Sequence, residues 1–141
     1  MLIFVYGTLR RGEPNHRQLM GTRARYVGSV WTAPCYELVD LGPYPALLEG
    51  GDTSVKGELY EVDDLGLVRL DAFEDVPDLY DRKAVTIPGA PAYAYFMRKE
   101  LAAHAPRIEQ GDWCRRGDET VELPDRNDHF GDVMASAEQA G

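Results

Sequence analysis

Residues 64–74 are the one stretch of this chain that reads convincingly as a helix, and they sit among short β-rich runs cut apart by glycine and proline. Leu67, Leu70 and Glu74 fall at i, i+3 and i+7, which is one stripe of a helix and the spacing of a core-facing surface. Asp63 or Asp64 is placed to cap it. Glu74 therefore shares a face with two leucines. A carboxylate in that position either meets a charged partner or has its pKa raised by burial. The second outcome suits general acid/base chemistry. The alternative is a helix that frays before Glu74 and leaves the side chain in water. Both readings stay open on the pattern alone.

The β-rich runs set the rest of the expected fold. Residues 2–6 are a continuous apolar run ending at Gly7, as in a buried central strand. Residues 26–31 and 35–41 are two further strands divided by Pro34. Leu41-Gly42-Pro43-Tyr44-Pro45 reads as a loop stiffened by its two prolines. Residues 55–62 are a strand in which Gly57 lets another backbone come close. Residues 82–87 and 92–97 form a hairpin across Pro88-Gly89-Ala90-Pro91. Between these lie a polar loop at 8–15, a short helix at 16–20, and a short helix or turn at 107–113. With 141 residues there is room for one domain with a sizeable core. Many short strands and one clear helix predict a compact α+β domain built on a β barrel or curled sheet. The chain divides into a domain at 1–124 and an acidic tail at 125–141, small-residue-rich and loosely packed.

Charge and motif spacing exclude several functions. A net charge of −9 argues against a nucleic-acid partner, whose phosphates need a basic surface. No apolar run approaches the roughly 20 residues of a membrane span, so no membrane partner is expected. The first residues lack the basic start of a signal peptide. Cys35 and Cys114 lie far apart with no metal or redox spacing, and a reduced cytoplasmic protein is expected. Gly7 to Gly12 opens like a phosphate-binding loop, but Glu13 and Pro14 stand where Lys and Ser/Thr belong. No G-x-S-x-G is present. Asp125, Asp128, His129 and Asp132 are a possible metal set, though a solvated acidic end is the simpler reading, and no metal is expected. What remains is Tyr6-Gly7-Thr8-Leu9, where a strand ends and exposes backbone N–H groups. Gly7 allows a ligand or chain to approach them, and such groups can hold a carboxylate or oxyanion. An ordinary strand-to-loop turn has the same pattern.

Six segments resemble, in order, the γ-glutamylcyclotransferase-like superfamily, which includes the plant avirulence-induced proteins. Residues 5–16, Val5-Tyr6-Gly7-Thr8-Leu9-Arg10-Arg11-Gly12-Glu13-Pro14-Asn15-His16, are similar to its opening. Gly42-Pro43-Tyr44-Pro45-Ala46 is similar to its proline loop, and Val55-Lys56-Gly57-Glu58-Leu59-Tyr60 to its Gly-Glu-x-Tyr strand. Leu70-Asp71-Ala72-Phe73-Glu74-Asp75-Val76 resembles its Leu-Asp-x-x-Glu-Gly segment, Leu79-Tyr80-Asp81-Arg82 its Tyr-x-Arg element, and Ala92-Tyr93-Ala94-Tyr95 its late tyrosine strand. Small bacterial members, including γ-glutamyl-acyl and γ-glutamylamine cyclotransferases, are the nearest in pattern.

The resemblance implies an α+β fold with a small closed, mostly antiparallel β barrel and a few short helices. It also implies a reaction. The α-amine of a γ-glutamyl group attacks its own γ-carbonyl, forms 5-oxoproline and releases the attached amine, with no cofactor. Glu74 falls at the catalytic glutamate. Tyr6, Gly7, Thr8 and Leu9 match the substrate loop, and Tyr80 and Tyr95 match tyrosines that border the pocket. Those two are expected either to donate to a substrate carboxylate or to be core aromatics with satisfied hydroxyls. Arg82 is free to pair with Asp71 or Glu74, or to face water, and pairing with Glu74 would lower that pKa. Asn15 reads as the cap of the following helix. Asp75 departs from the family's usual glycine. It would raise the Glu74 pKa by like charge or alter the backbone locally. The expected partner is a small γ-glutamyl amine or amide. Its leaving amine could be an amino acid, a γ-glutamyl-lysine product or an aminoglycoside-like natural product, and the acidic charge mildly favours a polycation. A ligand-binding module without chemistry, or an interaction domain working through its tail, are the competing readings.

Overall fold

The computed structural model describes residues 1–116. Seven strands and two helices follow in the order β1 (Leu2–Val5), α1 (His16–Met20), β2 (Arg25–Trp31), β3 (Tyr36–Asp40), β4 (Pro45–Glu49), β5 (Lys56–Glu61), α2 (Asp64–Phe73), β6 (Tyr80–Ile87) and β7 (Ala90–Met97). Two single 3₁₀ turns follow, Lys99–Leu101 and Trp113–Arg115. The tail, its boundary at 124, and the Asp125, Asp128, His129 and Asp132 set lie outside the described residues. No helix among the described residues is long and apolar enough to cross a membrane.

All seven strands belong to one mixed sheet, ordered β2-β5-β1-β7-β4-β3, with β6 also paired to β7. The sheet forks at β7. β6 runs antiparallel along one edge of β7, from Tyr80 opposite Met97 to Ile87 opposite Ala90. β1 and β4 share the other edge, both parallel to β7, at Ile3–Tyr93 and Leu47–Phe96. The expected closed barrel is therefore not what forms. Two strands divide one edge of β7 and carry the sheet away as separate arms, and no ladder joins the arm ends β2 and β3.

Alternation along the strands builds a core on each face. Phe4, Leu59, Leu38, Leu47 and Phe96 pack together on one side with Trp113. Their neighbours Ile3, Val5, Tyr60, Val39, Leu48, Tyr95 and Met97 pack on the other with Leu67 and Leu70 of α2. β1 is thus covered on both faces, which is why its sequence is uniformly apolar. Gly57 has the expected close neighbour. A Cβ there would collide with the Val5 carbonyl oxygen and lie 2.6 Å from the Phe4 ring.

The helix and the hairpin follow the sequence pattern closely, and β4 does not. Asp63 caps α2 by accepting a hydrogen bond from the Gly66 N–H at 2.8 Å. β4 falls where a stiff loop was expected to end. Its residues, Pro45-Ala46-Leu47-Leu48-Glu49, include no β-branched or aromatic side chain, and proline is tolerated at a first strand position. Pairing with β3 and β7 makes it a strand.

Candidate active site

A cavity of about 310 Å³ opens at the carboxyl end of β1. Its first wall is the strand end and loop, Tyr6 to Leu9 with Asn15; its second is Tyr44 and Pro45 at the start of β4. The end of α2 supplies Phe73 and Glu74, and Leu79, Tyr80 and Tyr95, with Phe4 and Val5 of β1, complete the lining. All seven residues singled out from the sequence, Tyr6, Gly7, Thr8, Leu9, Glu74, Tyr80 and Tyr95, meet here from four separate segments. Tyr44, Pro45, Phe73, Leu79 and Asn15 join them without having been assigned a site role. The neighbours Phe73–Glu74 and Leu79–Tyr80 were the available signal.

The loop is held open by short contacts. Gly7 is required by the chain itself, because a Cβ would lie 2.5 Å from the Pro45 ring. The close approach expected at this glycine is thus made by Pro45. The Arg10 N–H donates to the Gly7 carbonyl at 3.0 Å, and Asn15 closes the loop by donating its backbone N–H to the Thr8 carbonyl at 2.9 Å. The Asn15 amide also donates to Thr8 Oγ1 at 3.0 Å. Asn15 occupies the cap position of α1 but makes no side-chain cap bond, so its amide serves the loop instead. The N–H groups of Gly7, Thr8 and Leu9 find no acceptor among the described residues. Gly7 and Leu9 are buried. Buried backbone donors are nearly always paired, so three unpaired neighbours on a cavity wall fit an oxygen-bearing ligand.

Helix bonding carries through to the end of α2, where the Glu74 N–H donates to the Leu70 carbonyl at 2.9 Å. The helix therefore does not fray before Glu74, and its side chain enters the cavity half-buried. Burial pushes the Glu74 carboxyl up from 4.5 to about 7. No cation opposes this. Arg82 instead grips Asp71 with two hydrogen bonds, at 3.0 and 3.1 Å. Asp75 is not the cause either. It is exposed, and its contribution is to the backbone, at a φ of 55° where glycine is favoured.

The tyrosine hydroxyls are committed within the protein. Tyr80 donates to the Pro45 carbonyl at 3.0 Å, Tyr95 to Asp71 Oδ1 at 2.8 Å, and Tyr6 to the Tyr95 carbonyl at 2.6 Å. Burial raises the pKa of all three, so they stay neutral. With the single phenol proton spent, none of the three is free to donate to a ligand, and the Tyr6 oxygen also accepts a backbone hydrogen bond from Leu47. Donation by Tyr80 or Tyr95 to a substrate carboxylate would require breaking these bonds. The cavity thus combines one carboxyl that titrates near neutrality, a row of unpaired N–H donors and a mostly apolar surround.

Matches to known proteins span nearly all of the described residues. The gamma-glutamyl cyclotransferase, AIG2-like family matches residues 3–115. A Vibrio cholerae protein provisionally named a gamma-glutamylcyclotransferase is 45% identical over 115 residues, covering 82% of this chain and 96% of that one. The gamma-glutamylaminecyclotransferase of Mus musculus is 41% identical over 92 residues, 60% of this chain and 62% of the mouse protein. The crystal structure of an AIG2-like protein from Mus musculus superposes with a TM-score of 0.72 at 31% identity, covering 89% of this chain and 95% of that one. On the length and identity of these matches, this chain belongs to the gamma-glutamyl cyclotransferase, AIG2-like family.

Proposed function

We propose that this chain is an enzyme that cyclises the γ-glutamyl group of a γ-glutamyl amine, releasing 5-oxoproline and the free amine. Glu74 takes a proton from the substrate's α-ammonium group, and the freed amine attacks the γ-carbonyl carbon. The N–H groups of Gly7, Thr8 and Leu9 hold the γ-oxygen as it becomes an oxyanion. The new C–N bond closes the ring. Glu74 then returns its proton to the leaving nitrogen as the old C–N bond breaks, takes the second proton that the new ring nitrogen must lose, and passes it to the departing amine, which leaves as an ammonium ion, so no water or cofactor enters the balance. The cavity's part is to fold the chain back on itself, since intramolecular attack depends on orientation. The observation that carries this reading is a carboxyl raised to about 7 in the same cavity as three unpaired backbone donors.

The choice of amine rests on the mouth. Tyr44, Phe73 and Leu79 are apolar or aromatic, and no Lys, Arg or His is among the lining residues to pair a carboxylate on the leaving group. This suits an amine better than an amino acid or peptide, and the mouse relative's name points the same way. The test is 5-oxoproline release, read by mass spectrometry, from γ-glutamyl amines, γ-glutamyl dipeptides and acylated aminoglycosides. Amines are expected to be the best donors. Glu74→Gln is expected to bind substrate and turn over at least ~10²-fold more slowly. Full activity in that variant would sink the mechanism. Ligand binding with no 5-oxoproline from any donor would favour a binding module.

A further inference from the structure

Behind the cavity loop lies a buried cluster of charges that the reaction does not use. Arg10 is 6% exposed, Glu58 6% and Asp112 2%. The Arg10 guanidinium donates to Asp112 Oδ1 at 2.7 Å, while its Nε stands 3.8 Å from Glu58 Oε2 without a hydrogen bond. The same Asp112 oxygen accepts the Cys114 N–H at 3.1 Å. Glu58 Oε1 accepts the Arg11 N–H and the Tyr60 hydroxyl, each at 3.0 Å. Trp113 Nε1 donates to Glu13 Oε1 at 2.8 Å. Positions 10, 11 and 13 of the loop are thus bound by β5 and by residues 112–113, which are remote in sequence.

None of these residues lines the cavity, whose loop lining stops at Leu9 and resumes at Asn15. The charges grip one stretch of the loop while its neighbouring stretch presents the unpaired N–H groups. Arg10 joins the two directly, because its own N–H closes the turn onto the Gly7 carbonyl at 3.0 Å. A buried ion pair is seldom a net source of stability compared with apolar packing, but it constrains geometry tightly. Backbone donors stabilise an oxyanion only if they are fixed in place before charge develops.

We propose that Arg10 is a positioning residue, which through Asp112 and Glu58 fixes the direction of the Gly7, Thr8 and Leu9 N–H groups toward the developing oxyanion. The proposal rests on the cyclisation reading above. It also makes the turn at 112–113 a functional part of the site.

The experiment compares full-length wild type, Arg10→Met, Arg10→Lys and the double variant Arg10→Met/Asp112→Asn, by 5-oxoproline kinetics across pH and by thermal unfolding. Arg10→Met strands two buried carboxylates, Asp112 and Glu58, and should lower Tm, and the double variant should recover part of that Tm by removing one of them. Both are expected to lose at least ~10-fold in kcat, with KM within ~3-fold of wild type, as when a transition-state interaction is lost. Arg10→Lys should recover part of kcat. The acid limb of the pH profile should stay in place, since Glu74 is untouched. A double variant that regains kcat together with Tm would reduce the cluster to a structural ion pair and overturn the proposal, as would a rise in KM with kcat kept. If wild type is active and all variants match it, only this proposal falls. If wild type releases no 5-oxoproline from any donor, the cyclisation reading falls and takes this one with it.

Discussion

Glu74 shows how burial alone can set a functional pKa. Its carboxyl is raised to about 7 with desolvation as the cause, since Arg82 is occupied elsewhere and Asp75 points its charge to solvent. The base form must exist for the amine to be deprotonated, so kcat/KM is expected to climb with pH through an acid limb near 7. A limb near 4.5 in a folded protein would contradict the buried environment. The same shift has a stability consequence of definite sign. Between 4.5 and about 7 the folded state keeps a proton that the unfolded chain has lost. The contribution of Glu74 to stability is therefore greatest below 4.5, falls as pH rises, and levels off above about 7. Glu74→Gln removes that penalty. It should be ~2–3 kcal/mol more stable than wild type at pH 8 and nearly equal to it at pH 4, by denaturant unfolding. An enzyme stabilised by loss of its base would show the strain that the active site stores.

At the scale of elements, α2, β6 and β7 are tied together beside the cavity. Asp71 of α2 accepts two bonds from Arg82 of β6 and one from the Tyr95 hydroxyl of β7. Asp71 stands one helical turn before Glu74, so an unpaired charge there would oppose ionisation of Glu74. Arg82→Met is expected to move the acid limb of kcat/KM to higher pH. It should cost only ~1 kcal/mol in unfolding, because the pair is partly open to solvent. An unmoved limb would show that the two carboxyls are electrostatically separate. The pairing of Arg82 with Asp71 is one of three options open on the sequence, and only the register of β6 on β7, with Arg82 opposite Tyr95, brings these three together.

Over the whole molecule, the cavity exists because β1 lies between β5 and β7 in the middle of the sheet and ends where β4, α2 and β6 converge. The β5–β1 pairing depends on Gly57, whose missing side chain admits the Val5 carbonyl and the Phe4 ring. Gly57→Ala should destabilise the domain by ~1–3 kcal/mol, measured by denaturant unfolding, and lower the yield of folded protein. A neutral effect would mean that β1 can shift away from β5 at no cost.

The local pattern already contained α2 with a cap at Asp63 or Asp64, the uniformly apolar β1, the hairpin β6–β7 and the placement of Glu74 on a leucine face. These follow from spacing and capping, which are properties of neighbouring residues. The order of the six family-like segments added the candidate site residues. The tertiary structure decided the rest. It made Pro45–Glu49 a strand through its partners, and it forked the sheet at β7 instead of closing it. It gave Arg82 to Asp71 and the tyrosine protons to partners inside the protein, and it placed Asp112 against Arg10. Those outcomes depend on contacts between residues distant in sequence. A chain's local periodicity carries no information about which distant partner will fill a given edge, hydrogen bond or charge.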